Sequence, residues 1–334
     1  MSARRAWGWA VVLVALGLSA AARMAWDEAA WGWPSGSLAG FLIEQRWLRL
    51  GLAAAAGACL GVSGASMQAL LRNPLAEPYL LGVSAGGAAG LSMQAVLATS
   101  GVAWAVGAGP SIAGVLVGCV AAGLLVTALG QRRGVLDPAG LILAGVVVSA
   151  MLGSLVTAVH QLAPGAVQRR MIAWMLGEID EGLPAGYALG GLAVAAVSAG
   201  WMAWRGRKID ACSFSDDEAR GLGVSLGRAR AGLLLTACVG ASAAVLIAGP
   251  VAFVGLIAPH LARSLVGPGH RSLGPASACV GAAMLIGADA GTSAVAAALP
   301  GVGRLPVGLV AALGGGPVFL WMLRRYLGRS AHGL

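Results

Sequence analysis

A chain of 334 residues in which 58% are hydrophobic and only 10% charged departs from a soluble globular domain, where about 25% of residues are charged. The net charge of +9 lies in short segments between apolar runs, which is the layout of a membrane topology signal, so a nucleic-acid partner is set aside. The 53 glycines, dense in stretches such as Gly51 to Gly64, predict close helix packing through small residues.

Taken in chain order, the first apolar run, 6 to 22, follows Arg4 and Arg5. Leu18, Ser19 and Ala20 resemble a signal-peptidase site, but the many later runs favour an uncleaved first helix. A helix of about 20 residues crosses a hydrocarbon layer about 30 Å thick. Runs of that kind predict ten spans, near 6–24, 48–70, 79–98, 107–129, 138–160, 185–204, 229–248, 250–266, 275–298 and 305–323. The segment from Gly165 to Gly177 is too short to span and reads as a re-entrant or interfacial helix. The eighth run is also short and opens with Gly249 and Pro250. With the N-terminus inside, 16 of the 22 Lys and Arg residues fall on the inner side and six on the outer, the bias of a cytoplasmic face. An odd number of spans scrambles that sorting. The expectation is an all-α polytopic membrane protein, one domain over residues 1–334.

The largest inner loop, 205–230, contains Ser215, Asp216, Asp217, Glu218, Ala219, Arg220, Gly221, Leu222 and Gly223. A serine ahead of three acids, closing on glycine, predicts a short capped helix. Such a helix is either a solvated connector or a docking element. No phosphate-binding loop exists, since the single lysine, Lys208, stands outside any such motif. Asp289 is the one acid clearly in mid-span, and it reads as a helix–helix hydrogen-bond partner rather than part of a proton relay. His160, His260, His270 and His332 lack metal-ligand spacing. Cys59, Cys119, Cys212, Cys238 and Cys279 form no CxxC pair. No metal site, catalytic cluster or bound cofactor is expected, so any energy-driven work by this chain draws on a partner.

The run Leu71-Arg-Asn-Pro-Leu-Ala-Glu-Pro-Tyr-Leu-Leu-Gly-Val-Ser-Ala-Gly86 resembles the signature loop of the iron-siderophore, haem and cobalamin permeases of ABC importers. It contributes Arg72, Asn73, Pro74, Glu77 and Pro78. Leu141 to Gly145, Gly249 to Arg263, Leu305 to Gly308 and Gly316 to Trp321 agree in order and position, so the resemblance covers essentially the whole chain. It implies a homodimer of ten-span subunits in the bacterial inner membrane, with both termini cytoplasmic. It also implies two ATP-binding cassette subunits that carry ATP and Mg, and a periplasmic binding protein. It further implies a pathway on the dimer axis, with an apolar wall expected from spans five and ten.

The same resemblance makes Ser215 to Gly223 the coupling helix that sits in a groove of the ATPase. It makes Arg46 and Arg49 outward-facing docking residues for acids of the binding protein. Where many relatives carry a further arginine, this chain has Ser293, and Arg304 is expected to supply the displaced charge. Gln168, Arg169 and Arg170 are placed beside the outer mouth, positioned to meet carboxylates of the cargo, phospholipid headgroups, or Glu178, Asp180 and Glu181. Haem is the preferred cargo, ferric siderophore the runner-up and cobalamin third. An ion-coupled transporter is the rival from another class, but it needs several intramembrane acids.

Overall fold

The computed structural model describes residues 3–25, 32–99, 112–132, 135–162, 165–299 and 303–331. These form an all-helical bundle: α1 (Ala3–Ala25), α2 (Ala39–Leu71), α3 (Val83–Thr99), α4 (Ile112–Leu129), α5 (Pro138–Leu162), α6 (Gly165–Met175), α7 (Ala185–Ala211), α8 (Asp216–Gly221), α9 (Leu226–Ala248), α10 (Val254–Val266), α11 (His270–Ala298) and α12 (Val307–Ala331). Among the described residues, α1, α2, α5, α7, α9, α11 and α12 are long and apolar enough to cross a membrane, and α3, α4 and α10 are shorter apolar helices. Each of the ten occupies a place where the hydropathy reading put a span. The seventh span starts earlier than expected, and α2 begins nine residues before its predicted start.

Apolar side chains cover the outside as well as the core. Val117 and Leu124 on α4, Leu143 and Met151 on α5, and Leu313 and Leu320 on α12 all stand exposed. In water such a surface would aggregate; in hydrocarbon it costs nothing, because lipid tails are as apolar as leucine. An apolar cavity of about 880 Å³ opens between α4, α7 and α9.

The helix α2 is the axis of the bundle. Its 33 residues correspond to about 50 Å of helix, and most of them are buried. It packs against α7, α9, α10 and α11. Burial of this kind without large side chains depends on backbones that nearly touch. A Cβ placed on Gly57 would lie 2.3 Å from the Gly281 carbonyl oxygen, on Gly61 1.9 Å from that of Ser277, and on Gly64 1.7 Å from that of Gly255. Glycine is required at these crossings for space, not for turn geometry.

Two breaks shape the middle of the fold. After α2 the chain turns at Arg72, whose left-handed backbone (φ 50°) closes the helix, and runs through a short 3₁₀ turn, Pro78–Leu81, into α3. After α9 it turns at Gly249 (φ 64°) and enters α10 through Phe253, a second non-glycine residue at positive φ (68°). A two-residue hairpin pairs Gln131 with Leu136 and Arg132 with Val135 between α4 and α5.

Candidate functional site: two charged ends of one bundle

At one end of the bundle a chain of ions runs from the interior toward the surface. Asp289 on α11 has no exposed surface. Its Oδ2 accepts from Arg23 Nε of α1 at 2.5 Å, and Oδ1 accepts from Arg49 Nε of α2 at 2.9 Å. Arg49 reaches onward to Glu181 Oε1 at 2.6 Å, and the same oxygen accepts from Arg304. A single buried aspartate inside an apolar bundle is tolerable because two guanidiniums neutralise it. Glu181 lies in the loop between α6 and α7. Partial burial alone would raise its pKa, but Arg49 and Arg304 outweigh that and hold it below the usual carboxylate range.

The outward orientation expected of Arg46 and Arg49 is corrected here. Their exposures are 6% and 5%: Arg49 is turned inward by Asp289, and Arg46 donates to the carbonyl of Met24 at 2.6 Å and to that of Gly32. Three-residue spacing does put them on one side of α2, but that side faces α1 and α11 rather than solvent. Arg304 lies nearer the surface beside half-exposed Glu181. Ser293 is fully buried. Gln168 donates to the His160 carbonyl at 2.7 Å and so ties α6 to α5. Arg169 and Arg170 fall within α6, but their side chains lie outside the described residues. The partner found for Glu181 is therefore Arg49 with Arg304. Hydropathy carried no signal for Glu181 or Arg23; an acid in mid-span was the available pointer to a buried arginine.

At the opposite end, α8 forms where the serine-acid pattern put it. The Ser215 hydroxyl accepts from the Glu218 amide at 3.3 Å, and Glu218 Oε2 accepts from the Ser215 amide at 3.0 Å, a complete capping box. Asp217 and Arg220 pair along the exposed face, and Gly223 closes the turn at φ 75°. Ala219 is buried in a small cluster with Cys212, Val224 and Leu226, while Phe214 and Leu222, on either side of the helix, are 56% and 64% exposed. Two large apolar side chains flanking a stiff, capped helix are what a protein-docking element presents.

Asp216, the first residue of α8, is gripped by two arginines. Arg72 donates to its Oδ1 at 2.7 Å and to the Cys212 carbonyl at 2.6 Å. Arg230 of α9 donates to both oxygens, at 2.8 and 3.0 Å, and to the Leu136 carbonyl just ahead of α5 at 3.2 Å. Its slight burial works to raise the Asp216 pKa, but the two guanidiniums prevail and lower it. Arg230 was not singled out in the sequence, since an arginine near a helix start reads as a topology charge.

The rest of the signature loop is structural at close quarters. Asn73 accepts the Leu75 amide across the turn. Glu77 accepts the Phe253 amide at 2.8 Å, and the Tyr79 hydroxyl accepts that of Val251 at 2.7 Å. Pro78 packs under Gly255. The loop therefore supplies acceptors to the unwound stretch between α9 and α10, whose amides have no helical partner.

Comparison with known proteins decides what this geometry belongs to. Residues 9–325 match the FecCD transport family. The chain belongs to that family. It is similar to the cobalamin import system permease protein BtuC of Halobacterium salinarum, with 36% identity over 284 residues, covering 83% of this chain and 71% of that one. The hemin transport system permease protein HmuU of Yersinia pestis shares 32% over 284 residues, 85% and 83%. The achromobactin transport system permease protein CbrC of Dickeya dadantii shares 33% over 317 residues, 94% and 88%. A solved structure described as an inward-facing conformation of a metal-chelate type ABC transporter superposes with a TM-score of 0.77 at 24% identity, over 94% of this chain and 97% of that one. This FecCD permease is thus a multi-pass membrane subunit of an ABC importer. Transport by such a subunit implies a separate ATPase and a binding protein, with no covalent chemistry on the permease.

Proposed function

We propose that this FecCD permease moves a metal chelate, haem foremost, inward across the bacterial inner membrane by alternating access, as a homodimer with both termini cytoplasmic. In this reading α8 docks each of two ATP-binding cassette subunits, which carry ATP and Mg. The periplasmic binding protein delivers cargo at the Asp289 end. The observation that carries the proposal is the capped α8 with exposed Phe214 and Leu222, set at the end of the bundle away from the buried ionic chain. The exposed apolar faces of α5 and α12 suit a pathway and a dimer seam, since a smooth apolar wall passes a large chelate without holding it. Glu181 and Arg304 form the accessible edge of the binding-protein surface, with Arg46 and Arg49 supporting it from within.

Haem is favoured because a hemin permease is among the relatives and because Arg169 and Arg170 suit propionate carboxylates through charge-assisted bonds. Ferric siderophore and cobalamin are the alternatives. Phe214→Asp and Leu222→Asp variants are expected to lose the ATPase on copurification; retention of the ATPase by both would refute docking at α8. The compound carried by the isolated partner binding protein decides the cargo, and a siderophore or cobalamin there refutes haem.

A further inference from the structure

We propose that Asp216 is a positioning residue for energy coupling: clamped by Arg72 and Arg230, it delivers movement of α8 to the ends of α2 and α5. This rests on the reading of α8 as the ATPase docking helix.

The need for such a tie follows from the size of the element. With only six residues, α8 is too short to be held by its own hydrogen bonds, and the capping box joins it to nothing but itself. Its apolar anchorage is one buried alanine in a cluster of four residues. A docking helix held only there would tilt within its loops when pushed, and the motion would be absorbed.

The clamp supplies what the small cluster lacks. Arg72 belongs to the C-cap of α2, the helix that runs the length of the bundle, and its left-handed backbone aims the side chain back across the loop. It also holds the Cys212 carbonyl, where the chain leaves α7 for α8. Arg230 sits in the second turn of α9 with its side chain 9% exposed. Its two terminal nitrogens hold different elements: one grips both Asp216 oxygens, the other the Leu136 carbonyl. Two residues later α5 begins, capped by Asp137 through the Gly140 amide at 2.8 Å. A planar guanidinium is suited to this because its donors are fixed relative to one another. Displacing Asp216 therefore displaces Leu136, and with it the start of α5.

The test uses the permease purified as a complex with its ATPase. Cys238 and Cys279 are replaced by alanine, and an environment-sensitive fluorophore is attached through Ala139→Cys at the start of α5. Adding ATP, but not ADP, is expected to change the fluorescence. Arg230→Met and Asp216→Asn are each expected to cut that change, per ATP hydrolysed, by about tenfold. The double variant should lose no more than either single one, because both break one clamp. Arg230→Lys should fail to rescue, since an ammonium cannot span Asp216 and Leu136 together. The ATPase should still copurify, and thermal unfolding followed by a thiol-reactive dye should stay within a few degrees of the parent. No ATP-dependent signal in the parent overturns the proposal, as does a signal within twofold of the parent in either single variant, or losses that multiply in the double. Loss of the ATPase from Phe214→Asp and Leu222→Asp is read separately, and its absence would overturn the docking reading instead.

Discussion

Asp289→Asn puts the buried ionic chain to its most direct test. The carboxamide keeps the shape of the side chain but leaves one acceptor oxygen for two guanidiniums and turns an amino group toward a donor. Asp289 is fully buried, and Arg23 and Arg49 are nearly so, so solvent cannot replace the lost charge. Removing one partner of a buried ion pair costs about 3–5 kcal/mol. Arg49 keeps Glu181, which places the expectation at the lower end, about 3 kcal/mol, or roughly a hundredfold in the ratio of folded to unfolded protein. The fold provides the assay: Cys59, Cys119 and Cys212 are buried, so a thiol-reactive fluorophore reports unfolding in detergent as they emerge. The midpoint should fall clearly, and adding Arg23→Met to Asp289→Asn should cost less than the sum of the single changes. A shift in stability below about 0.5 kcal/mol, the usual range of a neutral surface change, would show that Asp289 is neither charged nor relied upon.

Gly64→Ala drives a Cβ to 1.7 Å from the Gly255 carbonyl, and overpacking of this sort costs about 1–3 kcal/mol or more. The same assay should show a loss there, whereas Gly200→Ala, with open space at its Cβ in α7, should be neutral or gain up to about 1 kcal/mol. Arg304→Glu sets a like charge against Glu181 and should weaken affinity for the binding protein in a pull-down titration; unchanged affinity would remove Arg304 from the docking surface. Hydrogen bonds from the Ser215 hydroxyl and amide lower the Glu218 pKa below its reference of 4.5. Because the folded value is the depressed one, the cap is fully present above about 4.5 and is lost as pH falls through the lower, folded value. Hydrogen exchange at the Ser215 amide should lose protection in that window and not above it.

Much of this was legible in the residues alone, for identifiable reasons. Span positions follow from apolar length, and α8 follows from a serine followed three residues later by glutamate, because both signals are local. The hydropathy start of α2 falls late because Glu44 and Arg46 interrupt the apolar run; only the fold reveals the Met24 and Gly32 carbonyls that make Arg46 compatible with burial, and Asp289, 240 residues away, that does so for Arg49. The outward orientation of Arg46 and Arg49 failed for the same reason. Spacing tells which side of a helix two residues share, not what covers that side. Arg230 carries no local sign of a site residue, and Glu181 stands out only as one possible partner of Arg169 and Arg170, since each gains its meaning from partners on other elements.

The two charged ends are joined by α2. Arg49 near its start binds Asp289 and Glu181, and Arg72 at its close binds Asp216. Between them the helix is seated on glycine contacts that leave no slack, because neither backbone has a side chain to repack. The stretch of about 35 Å between Arg49 and Arg72, gripped by charge at both residues and by backbone contact between them, resists tilting at one without the other. If α8 docks the ATPase as proposed, its displacement is expected to pass through Arg72 and α2 to the Arg49–Asp289 contact.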